Sequence, residues 1–422
     1  MAVMPALRIL VPEGSSLSAR EAVTALGRRG HVIDILDPDP LCICRFSKYV
    51  RRVHRSPTLS ASPIEYVQFL LAHIASHTYD LVFPVHEHAF VLSAFAEEIR
   101  RHCAVAVAPL PAFERLQSKV RFFELATELG LPHPPTQRVE SVSAFPPCRM
   151  PPYYVKTAYG TAGDGTWRVV AEADRAHVLA ALQERELAGN LGSYLVQDLL
   201  PGTLEVVQSV FDHGELVAVH GYRQHIPGVG GSASGRIGVN RPAVIADLQR
   251  LGRAMQWHGA LMLDYMFDDQ SGGYWFIDPN PRLGETMNAL LSGVDLPQAL
   301  VEVTQGQRTE ECRHSDQGVR SHILLSASLA TAIKEPTRRA ILSQLLSAWR
   351  HLGKFAESRE EVALASEDYL SLVPTLTVAA QLLLRPSRAQ TIATHAIANY
   401  ALSGRAVGIV RDSWQKRQRD AR

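Results

Sequence analysis

The chain has 422 residues, more than one hydrophobic core usually organises, so two or three domains are expected. Hydrophobic residues make up 46% and charged residues 20%, which excludes a disordered tail protein, a collagen-like repeat and a small disulfide scaffold. Lys and Arg number 43 against 42 Asp and Glu, and a net charge of +1 gives no reason to expect nucleic acid as the main partner.

The first hundred residues alternate strand and helix signals. Arg8–Val11 reads as a buried strand, 18–29 as a helix stopped by Gly30, and 32–36 as a second strand. A helix over 63–76 follows, then a strand over 81–85, a helix over 89–101 and a fourth strand over 104–108. This alternation predicts parallel βαβ units. Ser118 opens a helix that Gly130 and Pro132 stop, and Pro132-His133-Pro134-Pro135 reads as a linker. From Tyr153 the texture changes to hairpins with glycine turns at 160–165, 228–235 and 271–273. After about Gly318 apolar residues recur at helical spacing, as in Ile341, Leu345 and Leu352. The 370–384 and 401–410 segments are apolar and read as core packing against the central domain, with an interfacial helix or a homodimer contact as the other readings. No stretch reaches the ~18 uninterrupted apolar residues that a membrane span needs. The N-terminal ten residues are too short for a secretory signal. Five cysteines (42, 44, 103, 148 and 312) have no framework spacing, so a reducing, cytoplasmic setting is expected.

The chemistry concentrates at 259–282. Two apolar strands flank the turn Ser271-Gly272-Gly273; one carries Asp264, the other Asp278 and Asn280, followed by Arg282. Period-two alternation puts Asp278 and Asn280 on one face. Three hard oxygen donors beside an arginine suit a magnesium ion held together with phosphates. At 86–88 the run His-Glu-His is not a metalloprotease motif. It follows a strand of the first domain, and ligands of parallel sheets lie at such carboxyl ends, so His86 and Glu87 are candidate substrate contacts. Glu13 and Ser15, after the first strand, share that logic.

Here the sequence resembles the ATP-grasp superfamily, whose signature is an acid on one strand and acid-x-Asn-x-Arg on the next: Asp264, then Asp278-Pro279-Asn280-Pro281-Arg282. Both acids are commonly Glu in that family and are Asp here. The resemblance covers roughly residues 116–305 and extends more loosely to the first hundred; with the helical spacing near the end, the chain reads as α/β in three parts. These are an N-terminal Rossmann-like parallel α/β domain (1–115), a central α+β ATP-grasp domain (116–310) and a mostly helical C-terminal region (311–422). The resemblance implies ATP and Mg²⁺ or Mn²⁺ as cofactors, with Asp264, Asp278 and Asn280 as metal ligands. Lys119 and Lys156 would hold phosphates, with Gly163 and Gly165 in a loop closing over them. Gln197, Leu199 and Leu200 would read the adenine and Glu205 the ribose. Arg282, Arg223 and Lys156 would serve the transfer itself, and Gly231, Ser232 and Glu285 the acceptor. The implied activity is an ATP-dependent carboxylate–amine ligase that forms an amide through an acyl phosphate. Its partners would be a small carboxylate and a small amine, not a membrane. A carboxylase or carbamoyl-phosphate-type enzyme using bicarbonate is the first alternative, and a non-catalytic ATP-binding module the second.

Overall fold

A computed structural model describes residues 5–146, 151–160, 163–187, 192–307, 311–316 and 318–420, and at Ala396 the backbone alone. Cys148, Thr161 and Ala162 lie outside these residues.

The first region runs β1 (Arg8–Val11), α1 (Leu17–Arg28), β2 (Val32–Asp37), β3 (Val50–Arg55), α2 (Pro63–Ser76), β4 (Leu81–Val82), α3 (His88–Ala94), α4 (Ala96–Arg100) and α5 (Leu110–Gln117). Its four strands are parallel in the order β3-β2-β1-β4. The βαβ expectation holds, with two changes. The expected strand over 104–108 reduces to a single bridge between Ala104 and Leu81. The sheet instead gains β3, whose VRRVHR sequence is too polar to announce a strand; its charged side chains stay in solvent at the sheet edge.

The second region holds α6 (Lys119–Glu128), β5 (Thr136–Val139), β6 (Tyr153–Thr157), β7 (Thr166–Val169), α7 (Glu172–Leu187) and β8 (Tyr194–Asp198). Its strands form an antiparallel sheet, β5-β8-β6-β7, over a small core that includes Tyr153, Val155, Val178 and Leu182. The third region holds β9 (Thr203–Asp212), β10 (Glu215–Pro227), β11 (Ala233–Val239), α8 (Pro242–Ala254), β12 (Gly259–Phe267), β13 (Tyr274–Asn280), α9 (Met287–Leu291) and α10 (Leu296–Thr304).

The C-terminal region holds β14 (Arg320–His322), α11 (Leu324–Lys334), α12 (Arg338–Trp349), β15 (Arg359–Glu360), α13 (Leu372–Leu384), α14 (Ala389–Ala398) and α15 (Gly404–Asp420). It is mostly helical, as expected, yet β14 and β15 extend the large sheet, which runs β13-β12-β9-β10-β11-β14-β15. The 401–410 segment packs into a core shared by the central domain, through Phe211 and Trp257, and by the first region. Leu402, Ala406, Val407 and Val410 are buried in the core with Tyr66 and Phe90 of the first region, and α15 lies on α2 and α3. No helix among the described residues is long and apolar enough to cross a membrane. Cys42, Cys44, Cys103 and Cys312 are all free thiols.

Candidate active site

The hairpin β12–β13 sets the site. Its register pairs Asp264 directly with Asp278 and Met262 with Asn280. Facing residues of an antiparallel pair lie only ~5 Å apart, so two like charges there repel unless a cation joins them. Alternation along β12 turns Met262, Asp264 and Met266 into one cavity and sends Leu263 and Tyr265 into the core. Asp264 Oδ1 is sealed from solvent and has no hydrogen-bond partner. Burial, then the charge of Asp278, pushes the Asp264 carboxyl up to about 7, although Lys119, Arg282 and Lys156 pull the other way. A carboxylate oxygen buried without a donor, opposite a second carboxylate and beside an amide oxygen, fits a hard divalent cation. Asp264, Asp278 and Asn280 would hold it.

Cations surround these acids. Ser118 caps α6 by accepting from Arg121 N, so the next residue, Lys119, begins the helix at the cavity wall. Its ammonium pairs with Asp278 Oδ1. Lys156, near the end of β6, is buried and donates to the Ile277 carbonyl at 2.9 Å. Burial lowers its ammonium to about 8, with Asp278 and Asp264 opposing that shift and Lys119 adding to it. Arg282 lies in the same cavity, and its guanidinium is 3.2 Å from Glu87 Oε1. Gln117 donates to the other oxygen of Glu87 at 2.8 Å.

The cavity encloses about 1040 Å³, at the upper end of the range for ligand sites. Lys119, Lys156, Gly163, Gln197, Leu199, Leu200, Gly231, Ser232, Asp264, Asp278, Asn280, Arg282, Glu285 and His86 all line it. Two glycine loops meet at its rim: a Cβ on Gly163 would sit 2.7 Å from the Gly230 carbonyl oxygen, and the φ there is +82°. Only glycine fits that approach.

Four expected contacts are corrected. Glu205 faces away from the cavity, where its neighbours Leu204 and Val206 line the wall. It is fully buried and accepts from Arg223 at 2.8 Å, Arg241 at 2.8 Å and the Tyr265 hydroxyl at 2.8 Å, so it does not reach a ribose. An acid that does line the cavity beside Leu199 is Asp198. Arg223 shares the outward face and is spent on Glu205 and Asp269, so it is not a transfer residue. Gly165 lies behind the loop against Thr157 rather than in the cavity. Glu87 touches no acceptor; it braces Arg282 from behind. The Gln197 side chain is already bonded to Thr136 Oγ1 at 3.0 Å, and its strand is paired on both sides. Of the residues after β1, Ser15 lines the cavity, whereas Glu13 is buried and accepts from the Ser15 and Ser16 amides at 2.8 and 2.9 Å.

Sequence reasoning missed the cavity's far wall. Val373, Pro374, Thr377, Val378 and Gln381 of α13 line it, with Thr391 and Ile392 of α14. The Tyr400 ring packs against His86 with centroids 4.1 Å apart and planes tilted by 50°. Tyr222 was also missed; Arg236 lies over its ring at 5.2 Å and bridges Glu285 at 3.2 Å to Glu361 at 2.5 Å. The i, i+4 spacing of Pro374, Val378 and of Thr377, Gln381 marks one face of α13, but only the fold shows what that face meets.

Two expectations follow. Lys156→Ala removes a desolvated cation beside the two acids, and nucleotide binding is expected to weaken ~10–100-fold. Isothermal titration with ATP and with the acceptor checks this, since a phosphate role requires the larger loss for ATP. The second concerns pH. Burial, as the leading cause, raises Asp264, Glu13 and Glu360 each to about 7. Unfolded carboxyls titrate near ~4, so the folded chain binds more protons between these values. Their contribution is therefore complete below pH ~4 and is lost as pH rises through about 7. A cation at Asp264 needs the ionised form, so magnesium is expected to raise the Tm more at pH 8 than at pH 5.5.

The comparisons with known proteins bear on the fold. No family profile matches the chain. Pyruvate carboxylase 1 of Caenorhabditis elegans is 28% identical over 268 residues, which is 58% of this chain and 22% of that protein. The chain thus spans about a fifth of the length of the curated relatives it matches. Among solved structures, the biotin carboxylase domain of Hydrogenobacter thermophilus 2-oxoglutarate carboxylase, in complex with MgADP and bicarbonate, superposes with a TM-score of 0.59 at 14% identity. The match covers 74% of this chain and 72% of that one. An L-amino acid ligase from Bacillus licheniformis superposes with a TM-score of 0.56 at 13% identity, covering 76% of this chain and 81% of that one.

Proposed function

We propose that this chain, which has the ATP-grasp fold, is an ATP- and magnesium-dependent ligase that joins a small carboxylate to an amine. The observation that carries the reading is one continuous cavity. At one end the opposed Asp264 and Asp278 stand among Lys119, Lys156 and Arg282; at the other lies a chamber roofed by α13 and α14.

A carboxylate is a poor electrophile. Its oxygen attacks the γ-phosphorus of ATP, the bond to the β-phosphate oxygen breaks, and ADP leaves an acyl phosphate. The amine then attacks the acyl carbon, phosphate departs with the C–O bond electrons, and the amine loses a proton. Two anions must approach each other in the first step, so cationic groups must offset the charge. A bound divalent ion would supply part of that neutralisation. Lys119 and Lys156 would hold the phosphates. Arg282, with its orientation fixed by Glu87, would bind the reacting carboxylate and the transferred phosphoryl group. The Gly163 and Gly230 loops would exclude water from the acyl phosphate.

The chamber supports an organic acceptor over bicarbonate. Leu41, Ile43 and Phe46 face it from the first region and Val373, Val378 and Ile392 from the last. Such walls suit a molecule with an apolar body, such as an amino acid with an aliphatic or aromatic side chain. Glu285, held by Arg236, offers an acid for the amine. The proposed division at 115 and 310 puts this chamber between all three regions.

ADP release is the test. Apolar amino acids are expected to stimulate it, and hydroxylamine in place of the amine is expected to trap a hydroxamate. Release driven by bicarbonate alone would favour the carboxylating reading instead.

A further inference from the structure

At the end of the large sheet remote from the cavity, two histidines and an aspartate converge. The β9–β10 hairpin turns at Asp212-His213-Gly214, and the segment entering β12 brings His258 against it. Asp212 Oδ1 is 2.7 Å from His213 Nδ1 and 3.4 Å from His258 Nδ1. The two imidazole rings lie 4.1 Å apart, tilted by 32°. One ligand atom from each residue falls within 4.8 Å of the other two, the only such group of His, Cys, Asp and Glu among the described residues. His258 Nδ1 is sealed from solvent and lacks a hydrogen-bond partner.

We infer that Asp212, His213 and His258 form a second cation site, for a late first-row divalent metal with zinc foremost. The donor set decides the class. Two imidazole nitrogens and one carboxylate suit zinc, cobalt or nickel, whereas magnesium requires oxygen ligands. The distances agree as well. Ligand bonds of 2.0–2.1 Å in a tetrahedron place neighbouring donors about 3.3 Å apart, and the His258–Asp212 separation is 3.4 Å. The shorter His213 contact must open by about half an ångström to match. The His213 side chain is 74% exposed and has room to do so.

A metal at this position would take the lone pair of an unprotonated imidazole from each histidine. Arg100 is the cation nearby, and its guanidinium donates to the carbonyls of Val105 and Val107 at 3.3 and 3.4 Å. The bland alternative is a pair of stacked rings that merely closes a turn around Asp212. That arrangement gives His258 Nδ1 only the 3.4 Å approach to Asp212, which falls short of a hydrogen bond, and a metal would satisfy it.

The site is independent of the ATP chemistry. His258 precedes Asp264 by six residues, about 20 Å along an extended strand. An ion there would fasten the β9–β10 turn to the start of the strand that carries Asp264.

Cobalt titration of the full chain, with millimolar magnesium present throughout, tests the inference. One Co²⁺ per chain is expected, with visible d–d absorption of a four-coordinate nitrogen site that zinc abolishes by competition. His213→Ala and His258→Ala should each weaken binding at least tenfold. His213→Ala is a surface change, so it keeps the test decisive if His258→Ala fails to fold. His54→Ala, in the separate cluster of His54, His73 and His77, should leave binding unchanged. Absence of the absorption, or equal cobalt binding by wild type and His213→Ala, overturns the inference.

Discussion

Asp278→Asn is expected to lower magnesium-dependent ADP release at least a hundredfold, the rate equivalent of ~3 kcal/mol in the barrier. The substitution keeps the shape of the side chain and removes its charge. Two consequences follow from the register. The cation loses one of two facing carboxylates, and the Lys119 ammonium loses its ion-pair partner. The Asp264 carboxyl, relieved of its like-charged neighbour, should fall below about 7. Asp278 is partly exposed on a hairpin whose ladder does not depend on its side chain, so the fold should persist. Steady-state ADP release over a magnesium titration, with circular dichroism of the variant, checks both halves. Wild-type turnover would remove Asp278 from the metal site.

Arg282→Ala is expected to lower kcat by ~100–1000-fold while the KM for ATP changes little. The reason is where the guanidinium sits. Glu87, itself held by Gln117, braces it from behind, and Arg282 lines the cavity with Asp278 and Glu285. A fork held in this way has lost its freedom before the substrate arrives, so its contribution falls on the transfer step. Arg282→Lys keeps the charge but not the bidentate geometry and should recover only part of the rate. The alanine variant also leaves Glu87 buried with one partner fewer, so a lower Tm is expected with it. An unchanged kcat with a raised KM would assign Arg282 to ground-state binding alone.

What the sequence made legible was local. Asp264, Asp278 and Asn280 could be placed on facing strands because a glycine turn between two apolar runs leaves few other pairings. Lys119 and Lys156 were singled out by the resemblance, and the structure puts both in the cavity wall. Errors arose where a side chain's direction depends on the third dimension. Glu205 stands one residue from two cavity-lining positions, and a single step along a strand reverses the face. Arg223 failed for the same reason, opposite Glu205 in the β9–β10 register. Glu87 was placed near the right residues but in a supporting role, since a buried carboxylate takes the nearest cation, and here that is Arg282. The wall built by α13, α14 and Tyr400 was illegible because it closes against residues as distant in sequence as Leu41, Phe46 and His86.

The most direct measurement is anomalous diffraction from crystals grown with Mn²⁺ and a non-hydrolysable ATP analogue. The account predicts manganese peaks ~2.0–2.2 Å from oxygens of Asp264, Asp278 and Asn280, bridging to the phosphates. Lys156 should lie against the same phosphates. Manganese bound elsewhere, with the Asp264 and Asp278 carboxylates touching neither metal nor nucleotide, would contradict it.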